Sequence, residues 1–233
     1  MALIVIEGLD GAGKSTQINL LNNHLNFRGI PTHFLHFPRV DTPFFGELIA
    51  RFLRGDLGEI NQVDPYVVAL LYATDRLDAA PIIQGWLNQN HVVLLDRYVY
   101  SNIAFQCAKL RAEGEMETLR NWIFKLEFDY FKLPKPDINF FLDVPFEFTR
   151  NKLTERRSGS GRHYLNGKAD IHEQDLEFQE RVRGVYLRQQ NTDDCFKVIA
   201  CGTPDGFMQK PNEIFEKILG KINQYALLEG SKS

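Results

Sequence analysis

A short glycine-rich loop between an apolar strand and a helix constrains this chain more than any other feature. Residues 8–16 read GLDGAGKST; the apolar segment Ala2–Ile6 precedes them, and Lys14–Phe27 follows with apolar residues at helical spacing. The spacing G-x-x-x-x-G-K-S in this context is the P-loop pattern. Its glycines let successive backbone N–H groups turn inward, and the helix N-terminus adds partial positive charge. The sequence therefore predicts a nucleotide phosphate site.

The P-loop pattern assigns individual roles. The residues predicted to bind ATP are Gly8, Leu9, Asp10, Gly11, Ala12, Gly13, Lys14, Ser15 and Thr16. We expect Lys14 to reach the β- and γ-phosphates and the Ser15 hydroxyl to bind Mg²⁺. A second predicted Mg²⁺ ligand is Asp96, which ends the apolar segment His91–Leu95, where P-loop enzymes carry such a carboxylate. Taken alone, the position of Asp96 favours a solvated residue at a strand end, and the neighbouring P-loop shifts the interpretation to a Mg²⁺ ligand.

Short apolar runs alternate with longer helical segments, which predicts an α/β fold. The predicted strands are Ala2–Ile6, Thr32–His36, His91–Leu95, Ile138–Asp143 and Phe196–Ala200. The predicted helices are Lys14–Phe27, Asp64–Gln89 with a kink at Pro81, Glu115–Phe131, Glu173–Gln190 and Asn212–Leu227. We expect a three-layer P-loop NTPase fold, in which helices flank a five-stranded parallel sheet. A single domain would span residues 1–228, with a mobile lid at 155–172 and a flexible tail at 229–233.

Composition and charge indicate the cellular compartment of the protein and the classes of partner that it lacks. The net charge of −3 argues against a surface that binds nucleic acid or membranes generally. Cys107, Cys195 and Cys201 form a sparse, odd set that suits a reducing compartment. The N-terminal apolar run is too short for a secretory signal, and no stretch approaches the ~20 apolar residues of a membrane span. These features predict a cytoplasmic protein with no nucleic-acid or membrane partner.

Four further segments, in this order along the chain, resemble those of the thymidylate kinase (dTMP kinase) family. They are Phe37-Pro38-Arg39, the helical stretch LLYATDR at 70–76, the stretch DRYVYSNIAFQ at 96–106, and LPKPD at 133–137. The resemblance extends from residue 2 to about residue 190. It implies ATP-dependent phosphorylation of dTMP to dTDP, with Mg²⁺ as cofactor, ATP and dTMP as small-molecule partners, and a homodimer.

The resemblance also implies where the acceptor binds. The residues that it assigns to dTMP are Asp10, Phe37, Arg39, Tyr72, Arg76, Arg97, Ser101, Phe105 and Gln106. Arg97 and Arg39 can offer forked donors to phosphate oxygens, although the family often places the second arginine one residue later, where this chain has Val40. Tyr72 and Arg76 are four residues apart and share a helix face. The tyrosine can then stack on the pyrimidine while the arginine donates to a carbonyl oxygen of thymine.

Simpler explanations stay open for several of these residues. Tyr72 and Phe105 could be ordinary core aromatics. Arg76 could belong to a surface charge cluster, and Arg97 could merely pair with its neighbour Asp96.

The residues predicted to take part in catalysis are Lys14, Asp10, Arg97, Arg157 and Arg162. The resemblance implies that Asp10 contacts the sugar 3′-hydroxyl or the phosphate-bound arginine; it could also simply stabilise a turn. Many eukaryotic relatives carry an arginine directly after this acid, but this chain has Gly11. Phosphoryl transfer needs cations around the moving group. The bacterial members of the family supply one from the lid, and the lid here carries Arg157 and Arg162.

Two other functions are compatible with the P-loop. A deoxynucleoside kinase would phosphorylate an uncharged 5′-hydroxyl and would need a carboxylate base. A non-catalytic switch that senses ATP would not need Tyr72, Arg76 and Arg97 together. The apolar residues of Asp64–Gln89 or Glu115–Phe131 could form a dimer interface or belong to the core.

Overall fold

Five parallel strands form the central sheet of the protein. The computed structural model describes residues 2–60, 62–154, 165, 175–225 and 227–228. Within these ranges the strand order is β2-β3-β1-β4-β5, and all neighbours are parallel. The strands are β1 (Ala2–Gly8), β2 (Thr32–His36), β3 (Val92–Asp96), β4 (Ile138–Asp143) and β5 (Phe196–Ala200). The predicted α/β fold with a five-stranded parallel sheet is therefore confirmed.

The helices agree with the sequence prediction in part. They are α1 (Lys14–Phe27), α2 (Phe45–Leu53), α3 (Pro65–Asn88), α4 (Val99–Cys107), α5 (Glu113–Phe124), α6 (Phe146–Thr154), α7 (Leu176–Gln189) and α8 (Pro211–Gln224). The sequence analysis did not predict α2, α4 and α6, each of nine residues. The predicted helix Glu115–Phe131 instead ends as a π-helix over Lys125–Tyr130.

The two faces of the sheet bury separate apolar clusters. Alternate residues of β1 enter opposite clusters: Leu3 and Val5 pack with residues of α3, α4, α5 and α7, whereas Ile4 and Ile6 pack with residues of α1 and α8. Every residue of β1 is buried. A strand covered on both faces reads as a continuous apolar run, which is why the sequence located β1 so readily.

The sheet brings the motif-bearing strand ends together. In the parallel register Ile6 pairs with Asp96, and Gly8 pairs with Leu142. The chain order reverses around β1, because β3 lies on one side of it and β4 on the other. Ligands of open α/β sheets bind at such a switch point, at the carboxyl ends of the strands. The P-loop and Asp96 both lie there.

Several predictions concern residues beyond those described. The lid at 155–172 lies outside the described residues except for Leu165, and so do Arg157 and Arg162. The tail at 229–233 is outside them as well.

Among the helices in the described ranges, none combines the length and the apolar character needed to cross a membrane.

Lys109, just after α4, is a lysine with an unusual environment. Its Nζ lies 5.0 Å from the centre of the Phe52 ring, and within the described part of the chain it has no hydrogen-bond partner. Burial lowers the pKa of Lys109 to about 7, opposed by the charge of Asp64. Protonating this amine in the folded state therefore costs free energy.

We expect Lys109→Met to raise the free energy of unfolding by roughly 1–3 kcal/mol at about pH 6, since it removes a buried amine without a partner. The folded pKa of Lys109 lies below the unfolded value of about 10.4. The destabilisation is therefore complete below about pH 7 and disappears as the pH rises towards about 10. Urea unfolding of both proteins at about pH 6 and about pH 9.5 measures this. The exposed Lys125→Met is the control, and an equal gain at both pH values would contradict the assignment.

Candidate active site

The P-loop joins β1 to α1 through two glycines in the left-handed region. Gly11 has φ 79° and Gly13 has φ 83°, and Gly13 caps the start of α1. Glycine adopts these angles without steric cost, whereas a side chain at either position would be strained. Ala12 N–H donates to the Leu9 carbonyl at 3.2 Å, which closes the turn. The backbone geometry is therefore the one that the sequence pattern requires.

Lys14 lies folded along the loop that it serves. Its Nζ donates to the carbonyl oxygens of Leu9 and Gly8 at 3.2 and 3.4 Å and lies 3.9 Å from Asp96 Oδ1. Burial, and then the charge of Arg97, lowers the pKa of Lys14. Phosphate oxygens would replace these carbonyls as stronger acceptors, because a charge-assisted pair exceeds a bond to a neutral group.

Asp96 and the start of α1 carry oxygen ligands suited to a hard cation. Asp96 Oδ1 is buried and has no hydrogen-bond partner within the described residues, while His36 Nδ1 lies 3.2 Å from Oδ2. Burial opposes ionisation, but the charges of Lys14 and His36 hold the pKa of Asp96 below its usual value. Ser15 and Thr16 are exposed at the first turn of α1. An ionised carboxylate with one oxygen to spare and a nearby accessible hydroxyl fit Mg²⁺.

Arg97 contacts the residues that are predicted to lie near the phosphate of the acceptor. Its backbone has φ 66°, and its N–H donates to the Ile6 carbonyl at 3.0 Å. Its Nη2 donates to Asp10 Oδ1 at 2.8 Å and its Nη1 to Ser101 Oγ at 3.2 Å. The guanidinium carbon lies 5.1 Å from the centre of the Phe105 ring. The structure thus brings four predicted site residues into contact, and Arg97 pairs with Asp10 rather than with Asp96.

A buried acid that the sequence analysis missed supports this turn. Glu7 is fully buried at the end of β1; Tyr98 N–H donates to its Oε1 at 2.8 Å and the Tyr186 hydroxyl to its Oε2 at 2.9 Å. Burial raises the pKa of Glu7, against the lowering effect of the Arg97 charge. The signal was present in the sequence, since an acid directly before Gly8 interrupts an otherwise apolar strand.

At the predicted base side, Arg76 is buried rather than part of a surface cluster. Its side chain is 2% exposed, and its Nε and Nη2 donate to the two carboxylate oxygens of Glu127 at 2.5 and 2.7 Å. Burial opposes the charge, but Glu127 raises the pKa of Arg76 above its ordinary value. The surface interpretation of Arg76 is therefore wrong. Tyr72, one turn earlier on α3, meets Phe52 edge-on with ring centres 6.4 Å apart.

Arg39 and Phe37 have structural contacts in addition to any ligand role. Arg39 Nε donates to Asp75 Oδ1 at 2.8 Å, and its Nη2 donates to the Asp75 carbonyl at 2.8 Å and to Asp78 Oδ2 at 2.6 Å. These contacts hold the guanidinium against α3. Phe37 is buried beside the Tyr98 ring, with ring centres 5.9 Å apart. Binding of dTMP by Arg39 and Phe37 stays a prediction.

Two amides on α4 have side-chain carbonyl oxygens that lack a hydrogen-bond partner among the described residues. Asn102 Nδ2 donates to the Ala69 carbonyl at 2.9 Å and to Glu127 Oε1 at 3.0 Å, whereas within the described residues its Oδ1 has no hydrogen bond. Gln106 Oε1 also lacks a hydrogen-bond partner among the described residues. Asn102 was missed because α4 was not predicted. With the helix known, Asn102 and Gln106 fall on one face at spacing four.

A P-loop at a parallel switch point, a buried Asp on the next strand and arginines around it define the class: a P-loop enzyme that transfers a phosphoryl group. The family model for thymidylate kinase matches residues 6–206. The chain is 36% identical to the thymidylate kinase of Mycobacterium tuberculosis (strain CDC 1551 / Oshkosh), over 79% of this chain and 83% of that protein. It is 31% identical to that of Dictyostelium discoideum, over 94% of this chain and 86% of that protein.

A solved structure supports the same family assignment. The thymidylate kinase of Candida albicans matches with a TM-score of 0.71 and 26% identity, over 96% of this chain and 91% of that one. The chain therefore belongs to the thymidylate kinase family. The predicted resemblance, P-loop NTPase fold, enzyme class and use of ATP as phosphoryl donor are confirmed.

We expect Arg97→Ala to weaken dTMP binding by about 10–100-fold, because it removes charge-assisted hydrogen bonds worth roughly 1.5–3 kcal/mol. ATP affinity should change much less. Titration calorimetry with dTMP and with ATP measures both constants. Arg97→Lys keeps the charge without the fork and should fall between, and Arg111→Ala, at an exposed position, serves as control. An unchanged dTMP affinity in Arg97→Ala would refute the role of Arg97.

Proposed function

We propose that this protein catalyses ATP + dTMP → ADP + dTDP at the carboxyl edge of β1 and β3. The observation that carries the proposal is the contact of Arg97 with Asp10, which couples the turn after β3 to the P-loop. An oxygen of the dTMP phosphate attacks the γ-phosphorus of ATP, and the bond from that phosphorus to the β,γ-bridging oxygen breaks, releasing ADP. A phosphate monoester is largely ionised near pH 7, so the acceptor needs no strong general base.

On the donor side, the P-loop N–H groups and Lys14 bind the phosphates of ATP. The Ser15 hydroxyl and the Asp96 carboxylate would hold Mg²⁺. This assignment is supported by Asp96 Oδ1, which accepts no hydrogen bond from the described residues. When bound, the ion neutralises charge on the β- and γ-phosphate oxygens. Lys14 moves from the carbonyls of Leu9 and Gly8 to those oxygens.

On the acceptor side, Arg97 binds the dTMP phosphate while Asp10 and Ser101 orient its guanidinium. Asp10 can share Arg97 with the ligand because its side chain is 26% exposed and can shift. Tyr72 stacks on the thymine, and Arg76 donates to a carbonyl oxygen through Nη1, the nitrogen that Glu127 leaves over. Phe37, Arg39, Phe105 and Gln106 complete the proposed set.

The lid supplies the remaining cation in this proposal. Position 11 is glycine, so the P-loop itself supplies no side chain where many eukaryotic relatives have arginine. Arg157 or Arg162 then meets the charge that develops on the transferred phosphoryl group, and closure excludes the water that would otherwise hydrolyse ATP. The cytoplasmic location, the lack of nucleic-acid and membrane partners, and the single domain over residues 1–228 stay predictions.

A homodimer through α3 is the proposed assembly. Apolar side chains are exposed along one side of this helix at Val67, Leu70 and Leu77, a spacing of three and seven. On α5, by contrast, Leu119 and Ile123 are buried in the core. An exposed apolar stripe along a helix is typical of a surface that another helix covers, so α3 is favoured over α5.

An acceptor panel tests the reaction. With ATP and Mg²⁺, ADP release should be rapid with dTMP, slower or equal with dUMP, and at background with thymidine or without acceptor. A coupled ADP assay measures all four rates. Equal rates with thymidine would favour the deoxynucleoside kinase, which phosphorylates a hydroxyl. ATP hydrolysis that dTMP does not stimulate would favour the ATP-sensing switch.

The double variant Leu70→Glu/Leu77→Glu should be monomeric, because it places four carboxylates in the dimer interface. Light scattering after gel filtration should give twice the mass of one chain for the unmodified protein. Phe27→Glu, which is highly exposed at the end of α1 and off the stripe, is the control and should stay dimeric. An unmodified protein with the mass of one chain would refute the dimer.

A further inference from the structure

Glu127 is a fully buried carboxylate that joins α3 to α4. It binds Arg76 of α3 through both oxygens and accepts a third hydrogen bond from Asn102 of α4. Its side chain is 0% exposed. Because removing two charges from water costs several kcal/mol per ion, a buried pair is weak evidence for stability alone. Its presence beside the proposed base site suggests a positioning role.

The backbone around Glu127 is unusual as well. Glu127 lies just after α5, in the π-helical segment Lys125–Tyr130. It is four residues from Ile123 and eight from Leu119, and so continues the buried face of α5. Phe131 N–H donates to the Leu126 carbonyl at 2.8 Å, five residues back. Single π-turns inside helices occur frequently at functional sites. Here the π-turn carries an acid into a position where its neighbours on the same face are apolar.

The contacts of Asn102 determine which way its amide faces. Nδ2 lies within hydrogen-bond distance of the Ala69 carbonyl and of Glu127 Oε1, and both are acceptors. The reversed amide would place Oδ1 against two acceptors, so only the observed orientation satisfies them. Within the described residues, Oδ1 is buried and without a partner. An unsatisfied buried acceptor is costly, which indicates a donor from a ligand.

We infer that Glu127 is a positioning residue that sets the polarity of base recognition. The inference rests on the proposed function, with dTMP as acceptor. Glu127 accepts two of the five N–H donors of Arg76, on Nε and Nη2, and one N–H of Asn102. The N–H groups of Arg76 Nη1 and the acceptor Oδ1 of Asn102 are thereby left for the base. A pyrimidine with a 4-carbonyl and an N3–H presents the complement, an acceptor beside a donor. Cytosine presents a 4-amino donor beside an N3 acceptor and is rejected.

The carboxylate is essential to this arrangement. A glutamine at position 127 would offer an amino group that can donate to Asn102 Oδ1, so the Asn102 amide could turn and present its own amino group to the base. Arg76 would also lose the charge that binds it through two oxygens. Both changes weaken the binding of thymine and reduce the discrimination against cytosine.

Glu127→Gln tests the inference through kcat/KM for dTMP and dCMP and through calorimetric binding of both nucleotides. The dTMP-to-dCMP ratio should fall by at least about tenfold, because a site that pairs a base edge rejects the wrong edge strongly. The loss should appear mainly in the KM for dTMP, and the KM for ATP should not change. Glu127→Asp, which keeps the acceptors, should retain more of the selectivity, and the exposed Glu113→Gln is the matched control.

Asn102→Ala keeps the test decisive if Glu127→Gln does not fold. It removes the acceptor and should lower the same ratio. An unaltered ratio in either folded variant, or an equal loss for dTMP, dCMP and ATP, would overturn the inference and leave Glu127 a purely structural residue. The proposed function fails separately, if the unmodified protein neither binds dTMP nor phosphorylates it.

Discussion

The hydrogen bonds to the buried carboxylate of Glu7 join the segments on which the site depends. Glu7 ends the apolar part of β1, receives the Tyr98 N–H from the turn after β3, and receives the Tyr186 hydroxyl from α7. Arg97, next to Tyr98, has φ 66°, a conformation that costs a non-glycine residue on the order of 1–3 kcal/mol. The bonds of the turn to β1 offset this strain. Glu7 and the Ile6 carbonyl therefore help to hold the turn from which Arg97 reaches the P-loop acid.

The same strand ends also fix α7. Arg183 of α7 binds both oxygens of Asp143, the last residue of β4, at 2.6 and 2.9 Å. Together with the Tyr186 contact, this ties one helix to the carboxyl ends of β4 and β1. Helix α7 begins at Leu176, shortly after the predicted lid at 155–172. The segment after the lid is thus anchored at the edge of the sheet where both nucleotides would bind.

The local sequence pattern was enough to predict the sheet. The buried acids were missed because their partners lie far away in the sequence. The bounds of β2, β4 and β5 agree with the prediction, because short apolar runs between turns identify buried strands. The P-loop and Asp96 were recognisable from spacing. Glu7, by contrast, acquires its role from Tyr98, 91 residues away, and Glu127 acquires its role from Arg76, 51 residues away. No window of sequence contains both members of such a pair.

The two arginines of the proposed acceptor site differ in the exposure of their carboxylate partners. Arg97 pairs with Asp10, whose side chain is 26% exposed, so water can solvate Asp10 when a ligand phosphate takes the guanidinium. Arg76 pairs with Glu127, which is 0% exposed and could not leave without a charge stranded in the core. A dianionic phosphate needs an arginine that can exchange its carboxylate partner for the phosphate. A neutral base edge needs only an arginine donor held in a fixed position. The burial of each carboxylate thus matches the charge of the ligand group that its arginine would bind.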